Sequence, residues 1–513
     1  MLSKHLLTSC LPVALACLAA LPGLSAHAAE PVTLSVATTQ PGITIPADAL
    51  GVSYETSRML PDENGVHYFR PDNLPLVNVF KTLGIKNLRT GGNSVDAHKF
   101  PVPDEKDVIS FFEFAKVAGV KVIYSFRLED GDPEAAAKTA RLIHDRYADL
   151  LQTFAIGNEP YYYKDDGVYS QKWKAIRDAI LAVYPDAKFS GADHDPELGA
   201  KLAADFGEPP GQVVQVTTHS YPFGCAYKFY KEGDITKLDS NKIARDASNK
   251  VAMTDTGKVL LPFDAAASRE KMVAPDAGYG TYEKIRKNLA DIVAEKPLTF
   301  RLTETNSFWF SGLQGASDSG ASALWGADYL HWWTSHGAAG LNFHTGDRTG
   351  GTVTMICRYA AFVTAPHGYE VRPLGYGMKL FALGGVGKVL PVSLSTPPPG
   401  RPMVAYANLG DDKTVSVTFI NKEHDAGAEP VKVRIKLDQP LAVGAKREAI
   451  LLTLKNGDIA GGSSDVTLGG APIEEDGSWK GKWTALPESE GSGDTIDLLV
   501  PPASAAVIRS SVR

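Results

Sequence analysis

Two glutamates are placed for chemistry. Glu159 closes the run Thr153-Phe154-Ala155-Ile156-Gly157-Asn158-Glu159-Pro160, and Glu304 closes Leu298-Thr299-Phe300-Arg301-Leu302-Thr303-Glu304-Thr305-Asn306. Each sits just past a short apolar segment that reads as a buried β-strand. Two carboxyl groups delivered to one mouth by different strands suit cleavage of a glycosidic bond, in which one acid protonates the leaving oxygen and a second carboxylate works at the anomeric carbon. The two roles need opposite surroundings. The donor, Glu159, must keep its proton through burial or a negative neighbour, whereas Glu304 must stay ionised to attack. Asn158 sets an amide beside Glu159 for a sugar hydroxyl, and Pro160 stops the strand. Arg89 and Tyr221, at the ends of two further strand segments, are placed to keep Glu304 charged.

The elements that must carry these residues alternate along the chain. From about Leu50 to Gly384, short apolar runs alternate with amphipathic stretches, the pattern of βα units around a parallel sheet. Eight strands are predicted at Gly51–Glu55, Asn87–Thr90, Lys121–Phe126, Thr153–Gly157, Lys188–Ala192, Val213–His219, Leu298–Thr303 and Gly340–His344. Helices are expected at Lys172–Val183, Tyr282–Glu295 and Ala321–Ser335, where apolar residues recur at helical spacing. That count and rhythm predict a (β/α)8 TIM barrel over residues 49–384, whose strand ends would open onto the site. Phe223 to Tyr279 is a longer excursion than a βα loop needs, so a role at the cleft is expected of it. After Gly385 the helical period gives way to alternation such as Thr414-Val415-Ser416-Val417-Thr418-Phe419-Ile420, behind the Pro-rich Ser395–Gly400, and residues 385–513 read as an antiparallel β-sandwich. Residues 29–48 hold an early strand, Val32–Ala37, expected to pair with that sandwich.

Composition excludes several other classes. Lys4 and His5 precede the apolar run Leu11–Leu21, and Ala26-His27-Ala28 is a small-x-small cleavage site, so residues 1–28 read as a signal peptide and the protein as periplasmic or secreted. Nothing later reaches the roughly 18 continuous apolar residues of a membrane span. The chain carries a formal charge of −7 and no long basic run, which argues against nucleic acid as a partner. Beyond the signal peptide only Cys225 and Cys357 remain, too few for a disulfide scaffold, and whether they pair stays open. No CxxC, HExxH or Gly-rich phosphate loop appears, so neither metal nor cofactor is expected.

The motif Gly157-Asn158-Glu159-Pro160 at the fourth strand, with a glutamate at the seventh, resembles clan A of the glycoside hydrolases. Further stretches resemble family 79, which holds β-glucuronidases and heparanases. These are Leu88-Arg89-Thr90-Gly91-Gly92-Asn93, Thr303-Glu304-Thr305-Asn306-Ser307, Ser317-Asp318-Ser319-Gly320-Ala321-Ser322-Ala323-Leu324-Trp325, Gly340-Leu341-Asn342-Phe343-His344 and Val371-Arg372-Pro373-Leu374-Gly375-Tyr376-Gly377-Met378. In the sandwich, Leu468-Gly469-Gly470-Ala471-Pro472-Ile473 and Asp476-Gly477-Ser478-Trp479 extend the likeness. The resemblance implies Glu159 as acid/base, Glu304 as nucleophile, and Glu55, Asn93, Asn158 and Tyr221 around the sugar. It also implies that Tyr359 and the Gly312 amide hold a substrate carboxylate. Trp309 stands where the family places a tyrosine, and an indole has only one donor to offer there. A retaining exo-β-glucuronidase is therefore expected. The alternatives are a β-glycosidase for a neutral or methylated sugar, a heparanase-like endo-enzyme, and a carbohydrate-binding protein on an inactive barrel. His219 and His344 are read as satisfying hydrogen bonds at the barrel end rather than as chemical groups.

Overall fold

The structure, a computed structural model, describes residues 31–513 apart from 164, 207–211, 232–237, 255, 295, 350–354, 396–401 and 489–492. The expected signal peptide and most of the Pro-rich loop therefore lie outside the described residues.

Eight parallel strands close a barrel in chain order: β1 (Leu50–Glu55), β2 (Asn87–Gly91), β3 (Lys121–Phe126), β4 (Leu151–Ile156), β5 (Phe189–Ser190), β6 (Val213–Ser220), β7 (Thr299–Thr305) and β8 (Leu341–His344). β8 closes the ring on β1, with Leu341 opposite Leu50. The strands are buried almost throughout, because helices cover the outer face and side chains fill the inner one. The helices start where the chain supplies caps. Asp104 accepts from the Lys106 and Asp107 amides ahead of α2 (Glu105–Ala118), and Asp132 with Pro133 opens α3 (Pro133–Tyr147).

Two departures from the expected strand limits bear on the site. β5 pairs over only two residues instead of continuing to Ala192, so Asp193 and His194 leave the sheet at the mouth. β7 runs on through Thr305, with an irregular register between Leu302 and Glu304 that sets Glu304 opposite His219 of β6. Glu304 is thus a strand residue, turned inward by local irregularity rather than by strand termination.

After α9 (Pro373–Gly384) the chain forms two sheets. The smaller joins Val392–Leu394, Val32–Val36, Val431–Leu437 and Thr495–Val500. Val32–Val36 does cross over into this layer, antiparallel to Val392–Leu394 and parallel to Val431–Leu437. The larger sheet is antiparallel and centres on Thr414–Asn421 and Ser504–Ser511. Leu34, Val417, Phe419, Val433, Ile435 and Ile508 pack between the two. No disulfide joins Cys225 and Cys357. Among the described residues no helix is long and apolar enough to cross a membrane.

The β layer bears directly on a barrel helix, α8 (Gly320–Ser335). That helix is buried on every side as far as Thr334, because the β layer and α9 cover the face an ordinary barrel helix turns to solvent. The Gly320 and Ala321 amides donate to the Gly461 and Ile459 carbonyls at 2.8 and 2.9 Å. Burial forces Asp328 to find partners. It pairs with the buried Lys422 ammonium at 2.6 Å and accepts from the Tyr279 hydroxyl at 2.8 Å and the Tyr406 hydroxyl at 2.5 Å. Removing one member of a buried pair strands the other charge, so Asp328→Asn should cost about 3–5 kcal/mol, read as a lower urea midpoint. A loss below about 1 kcal/mol would mean this contact does not lock the two layers.

Candidate active site

Arg89 is the centre of the mouth. It rises from β2, is fully buried, and binds four side chains from four other segments. One guanidinium nitrogen donates to Ser53 Oγ at 2.8 Å and to Glu304 Oε2 at 2.9 Å. The other donates to Asn158 Oδ1 at 2.9 Å and to Asp193 Oδ2 at 2.6 Å. Only a planar fork of donors can serve these positions at once. The following glycines make room for it. A Cβ at Gly91 would overlap the guanidinium, and Gly92, at φ +69°, lies against the Glu55 carboxylate.

Glu304 receives the Tyr221 hydroxyl on Oε1 at 2.8 Å and Arg89 on Oε2. His344 Nδ1 stands 3.7 Å from Oε2. Burial alone would raise this carboxyl, but the charges of His344, His219 and Arg89 and the Tyr221 hydrogen bond outweigh it and hold Glu304 far below the usual carboxylate range. These surroundings favour its carboxylate anion.

Glu159 lies in a more open position just past β4. His219 Nδ1 is 2.9 Å from Oε1, and the exposed Tyr161 hydroxyl donates to Oε2. Here the structure corrects the sequence reading, which asked for a carboxyl pushed upward. Burial and the Glu304 charge do push it up, but the hydrogen bond and charge of His219 and the Tyr161 bond hold it below its ordinary value. His219 makes its barrel-end hydrogen bond to Glu159 itself, so its ring faces that carboxylate directly. His344 likewise sits among Ser53, Glu55 and Glu304, with Ser53 Oγ 3.2 Å from Nδ1.

The remaining predicted residues surround this core unequally. Glu55 accepts from the Ser94 amide at 2.8 Å and lies 3.7 Å from His344 Nε2, whereas Arg58 pairs with Asp347 instead. Asn93 is exposed and accepts from Asn158 Nδ2 at 3.4 Å; the left-handed turn position belongs to Gly92. Tyr359 is buried, its ring centroid 6.1 Å from Tyr221 and 6.2 Å from His344. Gly312 packs against the Tyr359 backbone at the end of a left-handed run, Phe310-Ser311-Gly312. Trp309 is 42% exposed and stacks on Phe229, centroids 6.2 Å apart, so it forms the rim and does not pack into the barrel.

Phe229 comes from the long excursion, where Tyr227–Lys231 and Lys258–Pro262 form a hairpin. The excursion is stitched to the loop after β7: the Ala226 amide donates to the Trp309 carbonyl at 3.1 Å, and the Trp309 amide to Gly224 at 2.9 Å. Between this hairpin and Arg358, beside Tyr359, lies a cavity of about 710 Å³ lined also by Lys242, Arg245 and Phe263.

Sequence reasoning missed Asp193 and His194. Asp193 binds Arg89 and accepts from Thr303 Oγ1 at 2.8 Å. His194 is exposed, its ring 5.6 Å from His219 and 5.7 Å from Tyr161. The available signal was Ala192-Asp193-His194-Asp195, polar residues directly after a predicted strand.

No protein-family model and no curated protein matches the chain. Solved structures do. A GH51 arabinofuranosidase from Xanthomonas axonopodis pv. citri aligns at 15% identity with TM-score 0.62, over 94% of this chain and 100% of that one. A 4-O-α-L-rhamnosyl-β-D-glucuronidase from Fusarium oxysporum 12S gives 17% identity and TM-score 0.64, over 93% and 99%. A monomeric β-xylosidase from Caulobacter crescentus CB15 gives 12% and 0.56, over 94% and 99%. The chain therefore shares the barrel-and-β-layer fold of these structures.

The charge cluster predicts a pH dependence of stability. Burial lowers the proton affinity of His344, but Glu304 and Glu55 outweigh it and raise it above the ordinary value. A raised histidine contributes stability that is full below about pH 6.5 and is lost as pH rises through the folded value. The melting temperature should fall as pH rises above about 6.5. His344→Asn should flatten that slope, and an unchanged slope would dissociate His344 from it.

Proposed function

We propose that this protein is an exported, retaining β-glycosidase that removes terminal β-linked glucuronic acid in exo fashion. The observation that carries the reading is the unequal setting of two carboxyl groups at one barrel mouth. Glu304 is locked as an anion by Arg89 and Tyr221, while Glu159 keeps an open edge and exchangeable hydrogen-bond partners. Glu304 attacks the anomeric carbon as Glu159 gives its proton to the leaving oxygen, forming a glycosyl ester on Glu304. Glu159 then takes a proton from water, whose oxygen displaces the ester and frees the sugar. The Glu304 charge pushes Glu159 toward the protonated form, against the pull of His219 and Tyr161. Esterification removes that charge, which suits Glu159 to act as a base in the second step. Asn158, fixed by Arg89, and Glu55 and Asn93 offer the polar groups that hold sugar hydroxyls.

The uronate preference draws on Tyr359, whose ring lies near Tyr221 and His344, on Gly312 against its backbone, and on the likeness to a rhamnosyl-glucuronidase fold. Export draws on the N-terminal apolar run and its small-x-small site. Trp309 favours a second reading, a glycosidase for a neutral or methylated sugar, because an outward indole stacked on Phe229 offers a sugar a hydrophobic face and no phenol to a carboxylate.

A panel of aryl β-glucuronide, β-glucoside and β-xyloside with an aryl α-arabinofuranoside separates these readings. Turnover of the glucuronide alone is expected, and turnover of another member with none of the glucuronide replaces the substrate. The first-formed anomer should be β by NMR; an α product would overturn retention. Glu159→Ala should lose about 10²–10⁴-fold on poor leaving groups. Glu304→Ala should lose turnover altogether and regain it with azide, yielding the inverted glycosyl azide.

A further inference from the structure

We propose that Glu159, His194 and His219 form a binding site for a borderline-soft divalent cation, Zn²⁺ in particular, and that its occupation shuts the catalytic acid off. The three come from consecutive strand ends, β4, β5 and β6, so they share one side of the mouth. One ligand atom from each lies within 4.8 Å of the other two. Glu159 Oε1 and His219 Nδ1 are already 2.9 Å apart. Two ligands on a tetrahedral zinc at about 2.0–2.1 Å stand roughly 3.3 Å from each other, so an ion replaces that hydrogen bond with little movement. His194 is exposed and supplies the third ligand by side-chain rotation toward the other two.

A second feature points the same way. His219 is buried to 4% exposure, and its Nε2 makes no hydrogen bond although it faces Asp193 Oδ2 at 3.9 Å. A zinc-bound imidazole usually turns its remaining N–H to a carboxylate, which fixes the ring and raises its donor strength. Asp193 is held by Arg89 and Thr303 in the position such a partner takes. Two imidazoles and one carboxylate with an open fourth position are a zinc-type set. Ca²⁺ and Mg²⁺ prefer oxygen ligands in larger number and find one carboxylate here.

A coordinated Glu159 cannot deliver its proton to a leaving oxygen. Inhibition therefore rests on the glycosidase reading, whereas binding does not. Calorimetric titration of the EDTA-stripped full chain with Zn²⁺ should show one strong site that Mg²⁺ does not compete for. His194→Ala should weaken that site roughly ten-fold or more, and Glu159→Gln should weaken it as well. In turnover, Zn²⁺ should inhibit the native protein reversibly by EDTA, at the concentrations that fill the site. His194→Ala should keep, on addition of Zn²⁺, whatever turnover it shows without metal. Absence of a stoichiometric site, or a site unchanged in both variants, overturns the proposal; so does inhibition that His194→Ala does not relieve. Because calorimetry needs no substrate, failure of the glycosidase reading and failure of this one are told apart.

Discussion

The mouth of this barrel depends on one buried guanidinium. Arg89 lies where water cannot solvate it, and taking such a cation out of water costs several kcal/mol unless partners replace the lost solvent. Two carboxylates, an amide oxygen and a hydroxyl do so here. Those partners arrive from β1, the turn after β4, the turn after β5, and β7, so the same contacts that satisfy the charge set the relative positions of these segments. Gly91 is part of the arrangement, since any side chain there would occupy the volume of the cation. The geometry of the mouth and the integrity of the barrel share one set of bonds.

That hub divides the labour between the two glutamates. Glu304 faces Arg89, Tyr221 and His344, which together favour its anion. Glu159 is kept off the guanidinium by Asn158, which takes the contact instead, and is left with His219 and Tyr161. Its surroundings favour the anion less strongly and include groups able to give and take protons. Unequal settings at one barrel mouth let two residues of the same type differ in proton affinity.

The β layer contributes from a distance. By covering α8 it turns a peripheral barrel helix into a buried one, with Asp328, Lys422, Tyr279 and Tyr406 as the polar seam. On the other side of the mouth, the hairpin after β6 and the left-handed Phe310-Ser311-Gly312 turn project Trp309 and Phe229 as an exposed rim. The core fixes the buried polar cluster while the rim stays exposed.

Much of this was legible in the chain. Alternation of apolar runs and amphipathic stretches marks all eight strands, because burial between helices and a packed interior leaves parallel strands little room for polar residues. The same pattern, with the strand-end rule, singles out Glu159, Glu304, Arg89 and Tyr221, all of which converge. Local pattern cannot report what stands opposite a residue across the barrel. Asp193 and His194 follow a strand of only two residues, and His219 looks like any polar strand end until Glu159 faces it. The lowered proton affinity of Glu159 and the burial of α8 on all sides arise the same way. Periodicity records which residues leave water; the partner each one meets is set by closure of the ring and docking of the β layer, and those contacts join residues tens to hundreds of positions apart.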